Sequence, residues 1–396
     1  MISRKMSYLA KNGSAIRAMF EEGKEMAAKF GKENVYDFSL GNPNTPAPEI
    51  IRETAIRLLN ESDPVFLHGY MSNVGYENVR DSIAADLNRR FGTAYDRKHL
   101  IMTVGAAGAM NVALKTVLDA GDEVVIQAPY FGEYNNYISN FEGVPVVISP
   151  REEDFSLNLS EMEQKIGPKT KALILNSPNN PTGVIYPEKD IIALADLLRQ
   201  KQNQYGHAIY LISDEPYREI VFGDYEVPHL PDYYENTFVG YSYSKSLSLP
   251  GERIGYLLIS PKMEDLDETV GAAAVANRIL GFVNAPSLFQ QVVACCADQT
   301  SDMGVYIRNR EILYRELTAY GYQIVEPKGA FYMFPKCPIP DDKAFCQAAK
   351  KYRILIVPGS TFMGPGYFRL AFCVSEKTVL DSLEGFRLLA HEYGMN

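Results

Sequence analysis

The sequence predicts an α/β protein: a large domain with a mostly parallel sheet covered by helices, joined to a smaller α+β domain. Three observations predict it. Short apolar runs rich in Val and Ile recur through the middle of the chain, bounded by Gly, Pro, Asp or Asn, as strands buried on both faces read. Helical patterns lie between several of them, the signature of βαβ units. After Ala285 the regular alternation gives way to a long helical stretch and then to isolated strand-like pieces.

In chain order, the first 40 or so residues read mostly as helix. They are expected to join the small domain or to form an arm over a partner subunit. The expected strands are "LIMTV" from Leu100, "EVVIQ" from Glu123, "VPVVIS" from Val144, "KALILN" from Lys171, "AIYLIS" from Ala208, "TFVGY" from Thr237 and "IGYLLI" from Ile254. Among the helices, "GAMNVALKTVLDAGDE" ends at a Gly-Asp stop, and "PEKDIIALADLLRQKQ" opens on Pro187 and acidic residues, as helix N-termini do. Beyond a helical stretch from about Pro286 to Tyr320, "AFYMFP" and "YFRLAFC" read as strands around the helical "DDKAFCQAAKKY". "SEKTVLDSLEGFRLLAHEYG" closes the chain as an amphipathic helix with a Ser cap. The expected division is 1–44 for the N-terminal arm and part of the small domain, 45–285 for the large domain and 286–396 for the small domain.

Bulk properties exclude several classes. With 396 residues, 46% hydrophobic and 22% charged, the chain can bury a large core. A net charge of -10 argues against a nucleic-acid surface as the main business. Five cysteines without a CxxC pair fit reduced thiols and a cytoplasmic location. The N-terminus shows no apolar signal region, and no uncharged apolar run is long enough for a membrane helix. The five histidines lie far apart, so no metal site is expected.

Four strand ends carry polar groups of distinct kinds. "TVGAAGAMN" places Gly105, Ala106 and Ala107 between a strand and a helix, where small residues let backbone N–H groups approach an anion; a tight strand-to-helix turn reads the same. "NSPNNPTG" follows "KALIL" as a rigid turn with paired asparagines, at the edge where open α/β sheets bind ligands. "SDEPYREI" brings Asp214 to that edge with Tyr217 three residues on. A carboxylate there is costly unless it meets a cation or a strong donor, although a helix-capping Asp is the alternative. "YSYSKSLSLPGERIGY" sets Lys245 among Ser242, Ser244 and Arg253.

Serine hydroxyls and a guanidinium suit a phosphate. A lysine near other cations and out of water becomes a neutral amine able to form Schiff bases. An aspartate opposite a ring nitrogen keeps a pyridinium protonated. Together these parts call for pyridoxal phosphate.

From "FSLGNPNTP" at Phe38 to "FRLAFC" at Phe368, the chain resembles a fold-type I, class I/II aminotransferase of the aspartate aminotransferase superfamily. The resemblance implies that Lys245 carries the cofactor Schiff base and shuttles the Cα proton, with Asp214 on the pyridinium nitrogen. It implies that Asn180 and Tyr217 bond the ring hydroxyl and that Tyr130 of "APYFGEY" stacks on the ring. Gly105, Ala106, Ala107, Ser242, Ser244 and Arg253 would seat the phosphate. Tyr70 of "HGYMSNVGYENVR" would reach the phosphate across a homodimer interface. Gly41 and Arg369, with Asn180, would hold the substrate α-carboxylate. Arg369 also stands out unaided, because a guanidinium inside an apolar strand calls for a bidentate carboxylate; a structural salt bridge is the other reading.

The implied activity is amino transfer from an L-amino acid, aspartate or another common one, to a 2-oxo acid by a ping-pong cycle. A C–S β-lyase on the same cofactor is the alternative, and a non-catalytic aminotransferase-like regulator a remote one. The chain departs from the family pattern at Glu252, where "GWR" is common, and has no tryptophan at all. Arg278 is near in register to a distal-carboxylate arginine without aligning cleanly.

Overall fold

The structure is a computed structural model that describes residues 2–11 and 15–395. The helical reading at 12–14 and the outermost ends of the two terminal ranges therefore lie outside the described residues. In chain order the strands are β1 (Tyr36–Asp37), β2 (Leu100–Thr103), β3 (Glu123–Gln127), β4 (Val144–Ile148), β5 (Thr170–Asn176), β6 (Tyr210–Asp214), β7 (Thr237–Ser242), β8 (Gly255–Ile259), β9 (Tyr332–Met333), β10 (Ile354–Leu355), β11 (Val357–Pro358) and β12 (Phe368–Ala371).

Each of the seven expected runs forms a strand, and all seven join one sheet in the order β2-β8-β7-β6-β5-β3-β4. Pairing is parallel from β7 across to β4, whereas β8 runs antiparallel to both neighbours. The other six strands share one direction, so β2, β5, β6 and β7 all end at the same edge. Because β8 is reversed, it begins there: Gly255 pairs with both Thr103 and Ser242. One edge thus collects the four strand-end loops that the sequence singled out.

Both faces of this sheet are covered, which is why its strands carry little alternation. On one face Ala109, Met110, Val112 and Ala113 of the helix Gly105–Val117 pack against Ile126, Ile174, Ile212, Phe238 and Leu257. On the other, Leu194 and Leu198 of the helix Glu188–Tyr205 pack against Leu173, Leu175 and Leu211.

The C-terminal part has its own core around Phe331, Phe345, Phe368 and Phe386. Its strands form a β11-β12-β9 sheet, and the closing helix Glu376–Glu392 is capped by Ser375, which accepts from the Thr378 amide. The N-terminal segment contacts this part: β1 pairs with β10, and Met19 and Val35 pack on Leu355. The expected helical stretch after Pro286 divides into Ser287–Ala294 and Gly304–Ala319. Val292, Val293 and Cys296 pack with Ile83, Leu100 and Leu258 in one apolar cluster. No helix among the described residues is long and apolar enough to cross a membrane.

Candidate active site

A cavity of about 280 Å³ opens at the sheet edge where the four loops converge. Of the expected site residues, Gly41, Ala106, Ala107, Asn180, Asp214, Tyr217, Ser242, Ser244, Lys245, Arg253 and Arg369 line it. They come from positions up to 328 residues apart, brought together by the strand order.

Lys245 lies in the short helix Tyr243–Ser246, started by Ser242, whose hydroxyl accepts from the Ser244 amide. Its Nζ donates to the Gly41 carbonyl at 2.7 Å. Burial pulls the ammonium down to about 8, the nearby guanidinium groups of Arg253 and Arg369 pull the same way, and Cys373 opposes them. The neutral amine is then a minor species at pH 7, but far more abundant than for an ordinary lysine, as a nucleophilic amine needs.

Asp214 ends β6. Its Oδ2 accepts from the Tyr134 hydroxyl at 2.5 Å, while the buried Oδ1 bonds to no described residue. Burial pushes this carboxyl up to about 7; the Tyr134 bond opposes the rise and Glu215 adds to it. A cationic N–H facing Oδ1 would restore the charge that burial disfavours.

Arg369 is its counterpart of opposite sign. Nη1 donates to Asn180 Oδ1 at 3.0 Å and Nη2 to the Ser39 carbonyl at 2.6 Å. Its buried Nε has no partner among the described residues, and burial lowers its pKa. The guanidinium carbon sits 4.6 Å from the Tyr332 ring centre and 4.5 Å from that of Phe362. No carboxylate salt-bridges it among the described residues, so the structural salt bridge considered from sequence is not the arrangement found; an incoming carboxylate suits the exposed bonding capacity.

Arg253, Gly105 and the two serines stand together at the place expected for an anion seat. Arg253 donates to the carbonyls of Pro250 and Val104 at 2.8 and 3.2 Å. Gly105 lines up behind it with φ +77, and a Cβ there would stand 3.1 Å from Arg253 Nη2 and 3.3 Å from Ser242 Oγ. Glycine answers both the left-handed backbone and the close approach. The helix Gly105–Val117 starts at the same point, aiming its N-terminal amides toward the seat.

Two expected positions fall elsewhere. Tyr130 is not a wall of the cavity: it is buried, its amide donates to the Phe362 carbonyl, and its hydroxyl donates to Asn135 at 2.9 Å. The next residue, Phe131, lines the cavity instead, so an aromatic face for a ring is supplied one residue later than expected. Tyr70 is 95% exposed and lies in a separate cleft with Phe282 and Asn284. Arg278 is exposed on the helix Leu266–Ile279 and does not line the cavity. Glu252 is half-buried in the turn Pro250–Glu252, and nothing in the structure explains its choice. Sequence reading missed Tyr134, Tyr137 and Tyr332, all cavity walls. For Tyr134 the available signal was its place one helical turn beyond Tyr130.

A lysine of depressed pKa, a buried carboxylate with a free oxygen, an anion seat at a helix N-terminus and a carboxylate-ready arginine define a fold-type I pyridoxal-phosphate site. Comparison with known proteins makes the family explicit: residues 33–385 match the family described as aminotransferase class I and II, and the chain belongs to it. Members of this family are transferases that use pyridoxal phosphate. A probable aspartate/prephenate aminotransferase of Aquifex aeolicus is 29% identical, with 94% of each chain covered. An aromatic-amino-acid aminotransferase of Thermococcus litoralis is 30% identical over 94% of each. Among solved structures, an amino transferase from Eubacterium rectale superposes with a TM-score of 0.97 at 43% identity over the full length of both chains. An aspartate aminotransferase from Thermus thermophilus superposes with a TM-score of 0.86 at 28% identity, covering 98% of this chain and 99% of that one.

Proposed function

We propose that the protein transfers the amino group of an L-amino acid to a 2-oxo acid in a ping-pong cycle centred on Lys245, as a cytosolic homodimer. The observation that carries the reading is the pair of unsatisfied atoms of opposite sign, Asp214 Oδ1 and Arg369 Nε, buried on one cavity with Lys245 Nζ. The first suits a protonated ring nitrogen and the second a carboxylate.

When bound, pyridoxal phosphate supplies an aldehyde that holds the amino group between half-reactions and a ring that accepts the electron pair released at the substrate Cα. Asp214 keeps the ring nitrogen protonated. Gly105, Ala106, Ala107, Ser242, Ser244 and Arg253 would hold the phosphate, Asn180 and Tyr217 would bond the ring oxygen, and Phe131 would supply an aromatic face for the ring. Arg369, steadied by Asn180 and the Ser39 carbonyl, takes the α-carboxylate beside Gly41. Lys245 Nζ removes the Cα proton and in the second half-reaction returns one to the Cα of the incoming 2-oxo acid. Tyr70, exposed in its own subunit, would reach the partner's phosphate seat. The relatives named above favour this transfer over C–S β-elimination, and their names support aspartate or an aromatic amino acid as donor. We place the large domain from about 45 to past Cys296, with 1–44 and the rest of the chain in the small domain.

The test pairs common amino acids with 2-oxo acids and follows product 2-oxo acid. Lys245→Ala should abolish turnover; undiminished turnover in that variant sinks the assignment. Pyruvate release from cystathionine exceeding amino transfer would select the lyase.

A further inference from the structure

We propose that Tyr332 is a positioning residue that donates a hydrogen bond to Tyr217 and so fixes Tyr217 as a donor toward the cavity. The inference rests on the aminotransferase reading above.

The two phenol oxygens lie 2.9 Å apart, with their rings edge to face, centroids 5.6 Å apart. Both side chains are buried, and both line the cavity. A phenol has one hydrogen, so one oxygen donates and the other accepts. Which does so decides whether Tyr217 has a hydrogen left for a ligand.

Two features choose Tyr332 as donor. The Arg369 guanidinium lies against its ring, 4.6 Å from the centre. Burial raises both phenols, Tyr332 to about 12 and Tyr217 well above its ordinary value, and Arg369 opposes the rise in both; the guanidinium packs directly on the Tyr332 ring, where it best polarises that O–H bond for donation. The more acidic of two hydroxyls is the better donor. Packing then prevents Tyr332 from turning its hydroxyl away. A Cβ on Gly41 would stand only 1.9 Å from the Tyr332 hydroxyl oxygen, so the hydroxyl fills the space that a side chain at 41 would take. The carbonyl of the same Gly41 holds Lys245 Nζ at 2.7 Å. Tyr332 therefore touches or neighbours the carboxylate seat, the ring-oxygen donor and the residue that anchors the amine.

A donor that itself accepts a hydrogen bond is a stronger donor, because chained bonds polarise one another. Tyr217 so strengthened stabilises negative charge on the ring oxygen it faces. Tyr332→Phe keeps the ring over Arg369 and removes only the hydroxyl.

The experiment uses the cofactor-loaded protein and measures the pH midpoint of its visible band together with kcat and KM. For Tyr332→Phe the midpoint should rise by about 0.3 pH units or more, in line with a modest cooperative weakening of one bond. kcat should fall several-fold while KM changes less than twofold. Gly41→Ala, which crowds the same hydroxyl without altering either tyrosine, should move the midpoint in the same direction. Unchanged midpoints in both variants overturn the proposal, as does a Tyr332→Phe effect confined to KM. A wild-type protein that shows no cofactor band overturns instead the reading on which the proposal rests.

Discussion

Asp214 gives the sharpest quantitative prediction, because its cost can be read in the absence of cofactor. Burial raises its carboxyl from 3.8 to about 7. The unfolded chain loses this proton near pH 4, while the folded apoprotein keeps it until about pH 7. The folded state therefore binds more protons across that interval, and stability falls as pH rises through it. Above pH 7 the loss is complete; below pH 4 it is absent. A rise of about three pH units at 1.36 kcal/mol per unit amounts to about 4 kcal/mol. Asp214→Asn does not titrate, keeps an oxygen for the Tyr134 hydroxyl, and escapes the penalty. With an unfolding entropy of about 2.1 cal/mol/K per residue, 4 kcal/mol corresponds to about 5 °C in Tm for a chain of this length. Calorimetry of the two apoproteins from pH 4.5 to 8 should show a Tm gap in favour of Asp214→Asn that widens by about this amount. Titration of the other groups cancels in the comparison. Pyridoxal phosphate should stabilise the wild type more than the variant, reversing the order. A Tm gap that stays constant with pH would refute the reasoning about Asp214.

Three further outcomes follow from the same geometry. Capture of pyridoxal phosphate by the apoprotein should accelerate with pH through about 8, where Lys245 is half neutral, and level off about one unit above it; a capture rate flat from pH 6 to 8 contradicts the depressed lysine. Arg369→Lys, which keeps the charge but loses the fork, should raise KM for amino acids by about 10- to 100-fold, the worth of one charge-assisted hydrogen bond, and leave the cofactor band unchanged. Phe131→Ala should weaken cofactor retention by about 2- to 10-fold through lost ring contact, measured by equilibrium dialysis, with Tyr130→Phe close to wild type; the opposite ranking restores Tyr130 as the stacking residue.

Much of the fold was legible because buried parallel strands leave a strong trace. All seven runs became strands of one sheet, and the polar loops after four of them met at one edge by strand direction alone. The reversal of β8 was not legible, yet it is what returns Arg253 to that edge. The two-residue strands β10 and β11 left no pattern long enough to read. The site was legible where chemistry overrides propensity: a lysine among serines, an aspartate closing a buried strand, an arginine inside β12. It was illegible where aromatic residues were concerned. Tyr130 and Phe131 are adjacent in a loop, and only the Tyr130 amide bond to Phe362 and its hydroxyl bond to Asn135 decide which of them turns toward the cavity. Tyr134 and Tyr332 are buried, and their hydroxyl partners lie 80 and 115 residues away in sequence.

The charged groups of the cavity share a feature that bears on why the site is built this way. Burial disfavours the charged form of Lys245, Asp214 and Arg369 alike, and each lacks an oppositely charged protein partner among the described residues within salt-bridge distance. A structural network would have paired them with one another. Nearby in the same loop, Glu215 and Arg218 show that pairing: both are buried, they contact each other directly, and the contact holds Glu215 below its ordinary pKa despite burial. Asp214, one residue away, faces the cavity instead and is pushed the other way. The contrast separates the two kinds of buried charge in one short segment. Glu215 is satisfied by Arg218, whereas Asp214, Arg369 and Lys245 have no such charge partner among the described residues, as the proposed function requires of groups that meet charges from outside. Unpaired buried charge is destabilising, so stability is given up at the places where the proposed function would bring a pyridinium, a carboxylate and a carbonyl carbon.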